Sequence, residues 1–359
     1  MNQSERIEQF TDAIWAWYAA NKRELPWRDL LDQDPAERAY KVLVSEVMLQ
    51  QTQVSRVKVV FRNFLEQFPK MKDLAAASNR EVLLAWRGMG YNSRALRLRD
   101  AAKKIVGQEY SCPTGINFPQ SMDELQLIPG IGHYTAGAIR NFAFNLPTPC
   151  IDTNIRRVLY RTFVGPENAD GTWRKTDQEL LPLVEKVLEV AIFPLPLAPP
   201  PRGEGNKNKN ISLPPSGEGS GIGEHDTRNW HAALMDFGSL VQTKSNPKWH
   251  LCPLTKKGIM KTTPKNFIVE IDPPKRIDLT KREPGRFVGS KFIPNRIFRG
   301  KIVEALRDAP EGLTLEKIGR EVCIDWDQVY LEDWMKKLIT KLVQDSLLCK
   351  KGARYALSE

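Results

Sequence analysis

The sequence predicts a mainly α protein with a Pro- and Gly-rich insertion and a small C-terminal domain of the winged-helix type. Apolar residues recur at helical spacing through the first half of the chain, and strand-like alternation is scarce. The chain has 359 residues, enough for two or three domains with a sizeable core.

The helical pattern begins at the N-terminus, where Ser4 is the candidate N-cap of a first amphipathic helix. Its apolar face is formed by Ile7, Phe10, Ile14, Trp17 and Tyr18. Further helical segments lie near 38–52, 54–67, 79–87, 94–106, 121–127, 134–144 and 153–163. The pattern resumes at Asn229-Trp230-His231, so we expect one core of two helical lobes, formed by 1–193 and 228–261.

Residues 194–227 interrupt this core. The segment is rich in Pro, Gly, Ser and Asn, and it repeats Pro-Pro-Arg-Gly-Glu-Gly at 200–205 as Pro-Pro-Ser-Gly-Glu-Gly at 214–219. Such a composition buries too little apolar surface to offset the entropy of folding. We therefore expect a disordered insertion.

The C-terminal part contains a second helical pattern. Residues 262–295 are basic and linker-like, and 296–359 show three short helical segments followed by a hairpin with Gly352 in its turn. This order predicts a winged-helix-like domain, with a small helical cap as the alternative.

Charge and cysteine content narrow the classes of partner. The formal net charge is +10 and the pI is about 9.3, which favours a polyanion such as nucleic acid. A solvated basic surface is the alternative.

The five cysteines form no Cys-x-x-Cys pair, and we see no signal peptide and no membrane span. We expect a cytoplasmic monomer, nucleoid-associated in a prokaryote.

The segment from Leu127 to Gly137 contains Pro129-Gly130-Ile131-Gly132-His133 between two helical patterns. Two glycines allow a tight turn and a close approach of the backbone to a partner. The following helix would present free N–H groups to an anionic phosphate oxygen. This indicates a helix–hairpin–helix DNA-binding element, with an ordinary turn as the alternative.

Two carboxylates stand in different settings. Glu46 has the apolar neighbours Val42, Leu43 and Leu49, so we expect a raised pKa and a role as an acid. Asp152 precedes Thr153 at an N-cap position, where N–H groups are expected to keep a carboxylate ionised. One carboxyl that acts as an acid and another that stays ionised are a pair suited to cleavage of a glycosidic bond. A partly exposed helix glutamate and a structural cap are the alternatives.

Several short motifs follow one another along the chain. The most distinctive is Ser45 to Val54, Ser-Glu-Val-Met-Leu-Gln-Gln-Thr-Gln-Val. The others are Leu25-Pro26-Trp27-Arg28, Gly88-Met89-Gly90-Tyr91, Leu127 to Gly137, Ile151-Asp152-Thr153-Asn154 and Ala233 to Gly238. Together, and in this order, they closely resemble the MutY-type adenine glycosylases of the helix–hairpin–helix DNA glycosylase superfamily. The resemblance covers about 5–190 and 229–260, and it implies a helix–hairpin–helix glycosylase core.

The resemblance implies roles in catalysis. Glu46 would protonate the adenine ring nitrogen, and Asp152, supported by Asn154, would stabilise the sugar cation, with a transient covalent bond as one route. Tyr134 stands where bifunctional relatives such as endonuclease III have a catalytic lysine. Tyrosine forms no Schiff base, so strand cleavage should be absent or weak.

The resemblance also implies binding residues. Gln51 and Tyr91 would wedge into the duplex while the target base is flipped. Matching positions in the wall of the adenine pocket are Arg23, Leu25, Trp27 and Arg28. The hairpin residues expected to bind DNA are Gly130, Gly132 and His133. Core packing is the alternative for the apolar and aromatic members.

The chain departs from the family where four cysteines normally bind a four-iron cluster. The corresponding positions are Gln242, Trp249, Cys252 and Gly258, and one thiolate cannot hold such a cluster. We therefore predict a cluster-free loop without a metal, in which Trp249 fills the vacated volume. The loop's basic residues, expected to contact phosphates, are Lys244, Lys248, Lys256 and Lys257.

The C-terminal region also departs from many members, which carry a β-rich Nudix-like domain that recognises 8-oxoguanine. Phe287 to Ser290 and Arg299-Gly300 instead resemble the tails of truncated members.

The expected function is a monofunctional DNA glycosylase that excises adenine opposite guanine or 8-oxoguanine in double-stranded DNA. The alternatives are a mismatch thymine or uracil glycosylase, an inactive DNA-binding protein and, more weakly, a transcription regulator. Trp27 and Arg28 favour adenine, and intact Glu46 and Asp152 favour an active enzyme.

Overall fold

The computed structural model of the chain is mainly helical, as predicted. It describes residues 1–28, 30, 34–107, 111–112, 115–116, 118–168, 171–192, 226–267 and 283–359. Its helices in chain order are α1 Gln3–Asn21, α2 Pro35–Leu49, α3 Val54–Gln67, α4 Met71–Ala76, α5 Asn79–Ala85, α6 Ser93–Gly107, α7 Met122–Gln126, α8 His133–Phe142, α9 Thr153–Leu159, α10 Asp177–Ile192, α11 Thr227–Leu240, α12 Pro253–Lys256, α13 Asn295–Arg307, α14 Leu315–Val322 and α15 Gln328–Gln344. The strands are β1 Ser111–Cys112, β2 Gly115–Ile116, β3 Gly285–Val288, β4 Lys291–Pro294, β5 Leu313–Thr314, β6 Leu348–Lys351 and β7 Arg354–Leu357.

The structure shifts two predicted boundaries. Helix α1 is capped by Asn2 rather than Ser4, because the Asn2 side chain accepts from the Glu5 N–H and Glu5 returns the bond in a capping box. Helix α11 begins at Thr227, where Asp226 accepts from the Asn229 N–H at 2.6 Å. The predicted insertion lies outside the described residues as far as 225.

The chain divides into two compact units. The first consists of Met1–Arg23 and Arg140–Ile271, and the second of Glu24–Ile139 and Asp272–Glu359. None of the described helices is long and apolar enough to cross a bilayer.

The first unit packs α1 against α10 and α11 around an aromatic core. The Phe10 ring lies edge-on to Phe163 at 5.2 Å and to Trp230 at 6.0 Å between centroids. The Trp15 indole also contacts Trp230 and donates to the Ala191 carbonyl at 3.1 Å. This core supports α9, the helix that begins after Asp152.

The second unit contains α2 to α7 and the C-terminal elements. Phe64 and Trp86 meet edge-on at 5.9 Å in its core, and Tyr40 donates to the Phe68 carbonyl at 2.7 Å. These contacts hold α2, the helix that carries Glu46, against the end of α3, and α3 against the end of α5.

The C-terminal elements have the arrangement of a winged helix. After α13, the strand β5 precedes α14 and α15, and the β6–β7 hairpin completes an antiparallel sheet of order β5-β7-β6. The segment 262–295 that we expected to be a linker lies outside the described residues at 268–282. Its last part forms the β3–β4 hairpin, in which Phe287 pairs with Phe292.

The winged-helix elements pack against the other helices of the second unit. The buried Arg307 guanidinium donates to the Leu83 carbonyl and to Asn92 Oδ1, each at 3.0 Å. Asn79 donates to Ser358 Oγ at 2.9 Å. The Arg307 bonds are buried and charge-assisted, and together with the Asn79 bond they join the C-terminal elements to α5 and to the residue before α6.

Candidate active site

Glu46 lies in a buried stretch of α2. The helix begins with Asp34, whose side chain accepts from the Ala36 N–H at 2.9 Å, and with Pro35 at its first position. Glu46 is 8% exposed, and Val42 and Leu43, one turn earlier, are almost fully buried. A carboxyl in such surroundings is partly removed from water, as a general acid requires.

Asp152 is the N-cap of α9 in the first unit. Its Oδ1 accepts from the Ile155 N–H at 2.6 Å, and its Oδ2 accepts from Asn154 Nδ2 at 2.8 Å. Arg157 Nη2 donates to Asn154 Oδ1 at 2.7 Å, which orients the amide so that its NH2 faces Asp152. Arg157, Asn154 and Asp152 thus form one chain of hydrogen bonds.

The pKa of Asp152 is raised from its ordinary value because burial disfavours the charged carboxylate. Bonds from Ile155 and Asn154 and the charge of Arg157 act in the opposite direction. We expected the N-cap bonds to decide this balance, but burial is the larger effect. Asp152 therefore carries a more basic carboxylate than a surface aspartate.

Gly238 on α11 allows α9 to approach closely. A Cβ at this position would lie 2.6 Å from Asn154 Cβ and 2.9 Å from the Asn154 carbonyl oxygen. The Gly238 carbonyl also accepts from Arg157 Nη2 at 2.8 Å. The segment Ala233 to Gly238 thus contributes backbone directly beside Asn154.

Arg23 is held by a second residue of the same segment. Asp236 has a fully buried side chain, and its Oδ1 accepts from Arg23 Nε at 2.6 Å while its Oδ2 accepts from the Arg23 N–H at 3.1 Å. Asp236 was not among the predicted site residues. The Arg23 side chain that we predicted in a pocket wall is therefore fixed by a paired carboxylate within the first unit.

The remaining predicted pocket residues belong to the second unit. Leu25 and Trp27 are buried, and Trp27 meets Phe61 edge-on at 5.6 Å. Arg28 is half-buried, and its N–H donates to the Leu25 carbonyl at 2.9 Å in a turn. Much of the Trp27 surface is thus used in core packing, which was the alternative to a role in the pocket wall.

Gln51 and Tyr91, the predicted wedge residues, both lie at exposed loop tips of the second unit. Their φ angles are +56° and +45°, in the left-handed region that residues with side chains seldom adopt. We call residues 50–52 and 88–91 the wedge loops. Tyr91 is 45% exposed, and its hydroxyl accepts from Arg296 Nη1 at 3.0 Å. Strained, exposed tips of this kind are typical of functional sites.

The helix–hairpin–helix element forms as predicted between α7 and α8. Gly130 has φ +87°, and the Ile131 N–H donates to the Ile128 carbonyl at 3.1 Å to close the turn. Gly132 and His133 are exposed at the start of α8, and Tyr134 is half-buried in its first turn. The exposed start of this ten-residue helix can present N–H groups to a phosphate.

The loop at the predicted cluster positions is filled by side chains. Gln242 has 0% exposure, and its Nε2 donates to Cys252 Sγ at 3.3 Å, while Cys252 Sγ also contacts Met260 Sδ at 3.6 Å. We expected Trp249 to fill this volume. It is instead half-exposed and packs edge-on against Phe267 at 5.4 Å.

Arg161 anchors this loop from beneath. Its buried guanidinium donates to the carbonyls of Thr243 at 2.9 Å and Lys244 at 3.0 Å, and it pairs with Glu167 at 2.9 Å. The same group lies over the Phe267 ring at 4.7 Å. No periodicity or spacing in the sequence indicated this role.

The donor set of the loop does not fit a four-iron cluster. Of the four positions, only Cys252 carries a thiol, and that thiol is buried against Gln242 and Met260. Within the described ranges, no three His, Cys, Asp or Glu side chains are grouped as a metal site would require.

Comparison with known proteins identifies the family. The family model described as HhH-GPD superfamily base excision DNA repair protein matches residues 44–186. The adenine DNA glycosylase of Mycolicibacterium smegmatis is 30% identical over 349 residues, which cover 96% of this chain and 94% of that protein. Human adenine DNA glycosylase is 40% identical over 190 residues, 52% of this chain.

The match to the mammalian proteins is partial in length. It covers 33% of the human protein and 35% of the mouse protein, so the chain spans about a third of these relatives.

Among solved structures, a thermostable thymine-DNA glycosylase has a TM-score of 0.53 at 21% identity, covering 72% of this chain and 96% of that one. This likeness confirms the predicted fold. Because the Mycolicibacterium protein matches almost from end to end, the chain belongs to the adenine DNA glycosylase family of the HhH-GPD superfamily.

Proposed function

We propose that this protein is a monofunctional DNA glycosylase that removes adenine mispaired with guanine or 8-oxoguanine. The observation that carries the proposal is the carboxylate of Asp152, held by the Ile155 N–H and the Asn154 amide at the start of α9. Nearly full-length similarity to a protein named adenine DNA glycosylase supports the choice of base.

The proposed reaction divides two tasks between two carboxyl groups. Glu46 donates a proton to a ring nitrogen of the extruded adenine, so the base leaves with the electrons of the glycosidic bond. Asp152, as an anion, stabilises the positive charge that develops on the sugar. Water then adds to the sugar carbon and gives up one proton, which the Glu46 carboxylate takes back, so the product is an abasic site and the acid is restored.

Strand cleavage is not part of this proposal. Cleavage by a covalent route needs an amine that forms a Schiff base with the opened sugar, and α8 carries Tyr134 at the position where the resemblance implies a lysine in bifunctional relatives. The product should therefore keep both strands intact until alkali is added.

We further propose that the protein acts without an iron–sulfur cluster. The supporting observation is the buried contact of Gln242, Cys252 and Met260, together with the Arg161 bonds to the Thr243 and Lys244 carbonyls. These bonds give the loop a fixed shape, so its exposed lysines can still meet phosphates.

The biological setting is likewise a proposal. We infer a monomer that acts on double-stranded DNA in the cytoplasm, in contact with the nucleoid if the source is prokaryotic. The net charge of +10 supports association with DNA.

The decisive test is release of free base from duplexes with adenine, thymine or uracil placed opposite guanine or 8-oxoguanine. Release of adenine alone, with strand breaks appearing only after alkali, is the expected result. Release of a pyrimidine would show a mismatch thymine or uracil glycosylase. Tight binding without release of any base would show a DNA-binding protein that has lost catalysis.

A further inference from the structure

We propose that Arg94 is a positioning residue that holds both wedge loops in the backbone conformation needed to extrude a base. The proposal rests on the proposed function, because the wedge role of Gln51 and Tyr91 belongs to that function. It adds that one buried side chain joins both loops to the helix that carries Glu46.

Arg94 is a buried cation whose charge is balanced by backbone dipoles. It lies in the first turn of α6 and is 4% exposed. Among the described residues, no carboxylate forms an ion pair with it. A buried guanidinium needs partners for its donors, so the carbonyl groups around Arg94 must supply the compensation.

One arm of the guanidinium caps α2. Arg94 Nη1 donates to the carbonyl of Val47 at 2.8 Å and that of Met48 at 3.1 Å, and it also contacts the Gln50 carbonyl. The last carbonyls of a helix have no partner within the helix. Arg94 satisfies them directly after Glu46 and fixes where the first wedge loop leaves α2.

The other arm joins the two wedge loops. Arg94 Nη2 donates to Thr52 Oγ1 at 3.0 Å and to the carbonyls of Met89 and Gly90 at 3.3 Å each. The guanidinium also lies 5.5 Å from the centre of the Tyr91 ring. A single planar group therefore contacts both neighbours of Gln51 in the first loop, and in the second loop it contacts the two residues before Tyr91 and the Tyr91 ring.

The bonds are made to residues next to the two strained positions. Gln51, at φ +56°, lies between Gln50 and Thr52, and Tyr91, at φ +45°, follows Met89 and Gly90. A left-handed backbone at a residue with a side chain persists only where its surroundings impose it. The Arg94 bonds to the preceding carbonyls supply that constraint at both tips.

Lysine cannot make this arrangement. The guanidinium presents donors in a rigid plane, whereas an ammonium is a single point of charge. Burial lowers the pKa of Arg94 to about 10, so the group is still charged at neutral pH. Arg94→Lys thus keeps the charge and removes the fork, and Arg94→Met removes both.

The first test measures hydrogen exchange in the free protein for Arg94→Met, Arg94→Lys and the control Arg99→Met. Arg99 is on the same helix and contacts Asp100 and Asn79 instead of the wedge loops. The Thr52 and Met89 N–H groups should exchange faster together in both Arg94 variants and remain as in wild type in the control. Unchanged exchange in Arg94→Lys, the variant better able to fold, would overturn the proposal.

The second test measures single-turnover release of adenine from two substrates. Adenine paired opposite guanine must be extruded, whereas adenine in an unpaired bulge costs little to extrude. Arg94→Met should lose on the order of 100-fold on the paired substrate, as expected for a misplaced binding element. Its loss on the bulge should be less than about tenfold. Equal losses on both substrates would show that Arg94 supports only the fold or the Glu46 helix.

The two tests separate this inference from the proposed function. If wild type releases no adenine from either substrate while the loop exchange changes as expected, the proposed function fails and the loop-holding role of Arg94 stands. If wild type releases adenine and Arg94→Met behaves like Arg99→Met in both measurements, the proposed function stands and the loop-holding role of Arg94 fails.

Discussion

The side-chain amide of Asn154 donates to Asp152 Oδ2 at 2.8 Å while its own oxygen accepts from Arg157 at 2.7 Å. The second bond decides the direction of the first, because an amide whose oxygen is occupied must present its NH2 group to the carboxylate. Asn154 thus stabilises the anionic form of Asp152 in a setting where burial raises the pKa of that group.

Removal of the Asn154 donor should move the acidic limb of the pH–rate profile. Asp152 must be ionised to stabilise the sugar cation, so kcat/KM should fall as the pH falls through its pKa. That pKa is already raised by burial, and Asn154→Ala should raise it further by removing a bond to the charged form. The profile of kcat/KM against pH, with Thr153→Ala as the control, measures the shift. If the acidic limb of the profile did not move in Asn154→Ala, Asn154 would have no influence on the ionisation of Asp152.

Glu46→Gln should abolish excision and leave DNA binding nearly unchanged. The amide has no acidic proton to transfer at neutral pH but keeps the shape of the buried side chain, so a loss of about 10²-fold or more is expected. Glu37→Gln, on the exposed side of the same helix, is the matched control. Single-turnover excision and binding to a mispaired duplex are the two measurements. Excision near the wild-type rate would exclude Glu46 as the acid.

Gly238→Ala should displace Asn154. The added Cβ would lie 2.6 Å from Asn154 Cβ, so α9 and α11 must move apart at a cost of about 1–3 kcal/mol in the free energy of unfolding. Excision should fall as well, because the Asn154 bond to Asp152 depends on this contact. Gly107→Ala is the control, since no atom lies within 4 Å of the Cβ it would add. Denaturant unfolding measures the stability, and single-turnover kinetics measure excision. If Gly238→Ala changed neither, α9 and α11 would not be packed as closely as in this structure.

The stability of the first unit should depend on pH through His231. Burial lowers its pKa to about 4, and its geometry places the proton on Nδ1, which donates to the Thr227 carbonyl at 2.8 Å. The unfolded chain binds a proton near pH 6.5 and the folded chain does not, so stability is lost as the pH falls from about 6.5 towards 4. The loss between pH 7 and pH 5 should be about 2 kcal/mol. Urea unfolding at the two pH values measures it, and His231→Gln should remove this part of the difference.

Purified protein should be colourless and contain no stoichiometric iron. The loop offers one buried thiol, Cys252, which already contacts Gln242 and Met260. Iron analysis and the visible absorption spectrum provide the measurement, and Cys252→Ser should leave excision nearly unchanged. Iron bound in stoichiometric amount, or loss of activity together with bound metal in Cys252→Ser, would contradict a cluster-free loop.

Local features were predictable from the sequence because they depend on residues close together in the chain. Helical periodicity predicted the mainly α fold, and the order of helices and hairpin predicted the winged-helix elements. The turn at Gly130 and the N-cap at Asp152 are decided by a few neighbouring residues, so their positions followed from local rules. The missing cysteines at Gln242, Trp249 and Gly258 were likewise visible in the sequence itself.

The tertiary structure decided the partners of buried polar groups. Arg23 pairs with Asp236 across 213 positions of the chain, and Arg94 reaches Val47 across 47 positions. Such pairings arise because a buried donor or acceptor must find a partner among whatever elements pack around it, and no spacing rule specifies which elements those are. The same requirement placed Gln242 rather than Trp249 in the interior of the loop, where its amide meets Cys252 and Arg161.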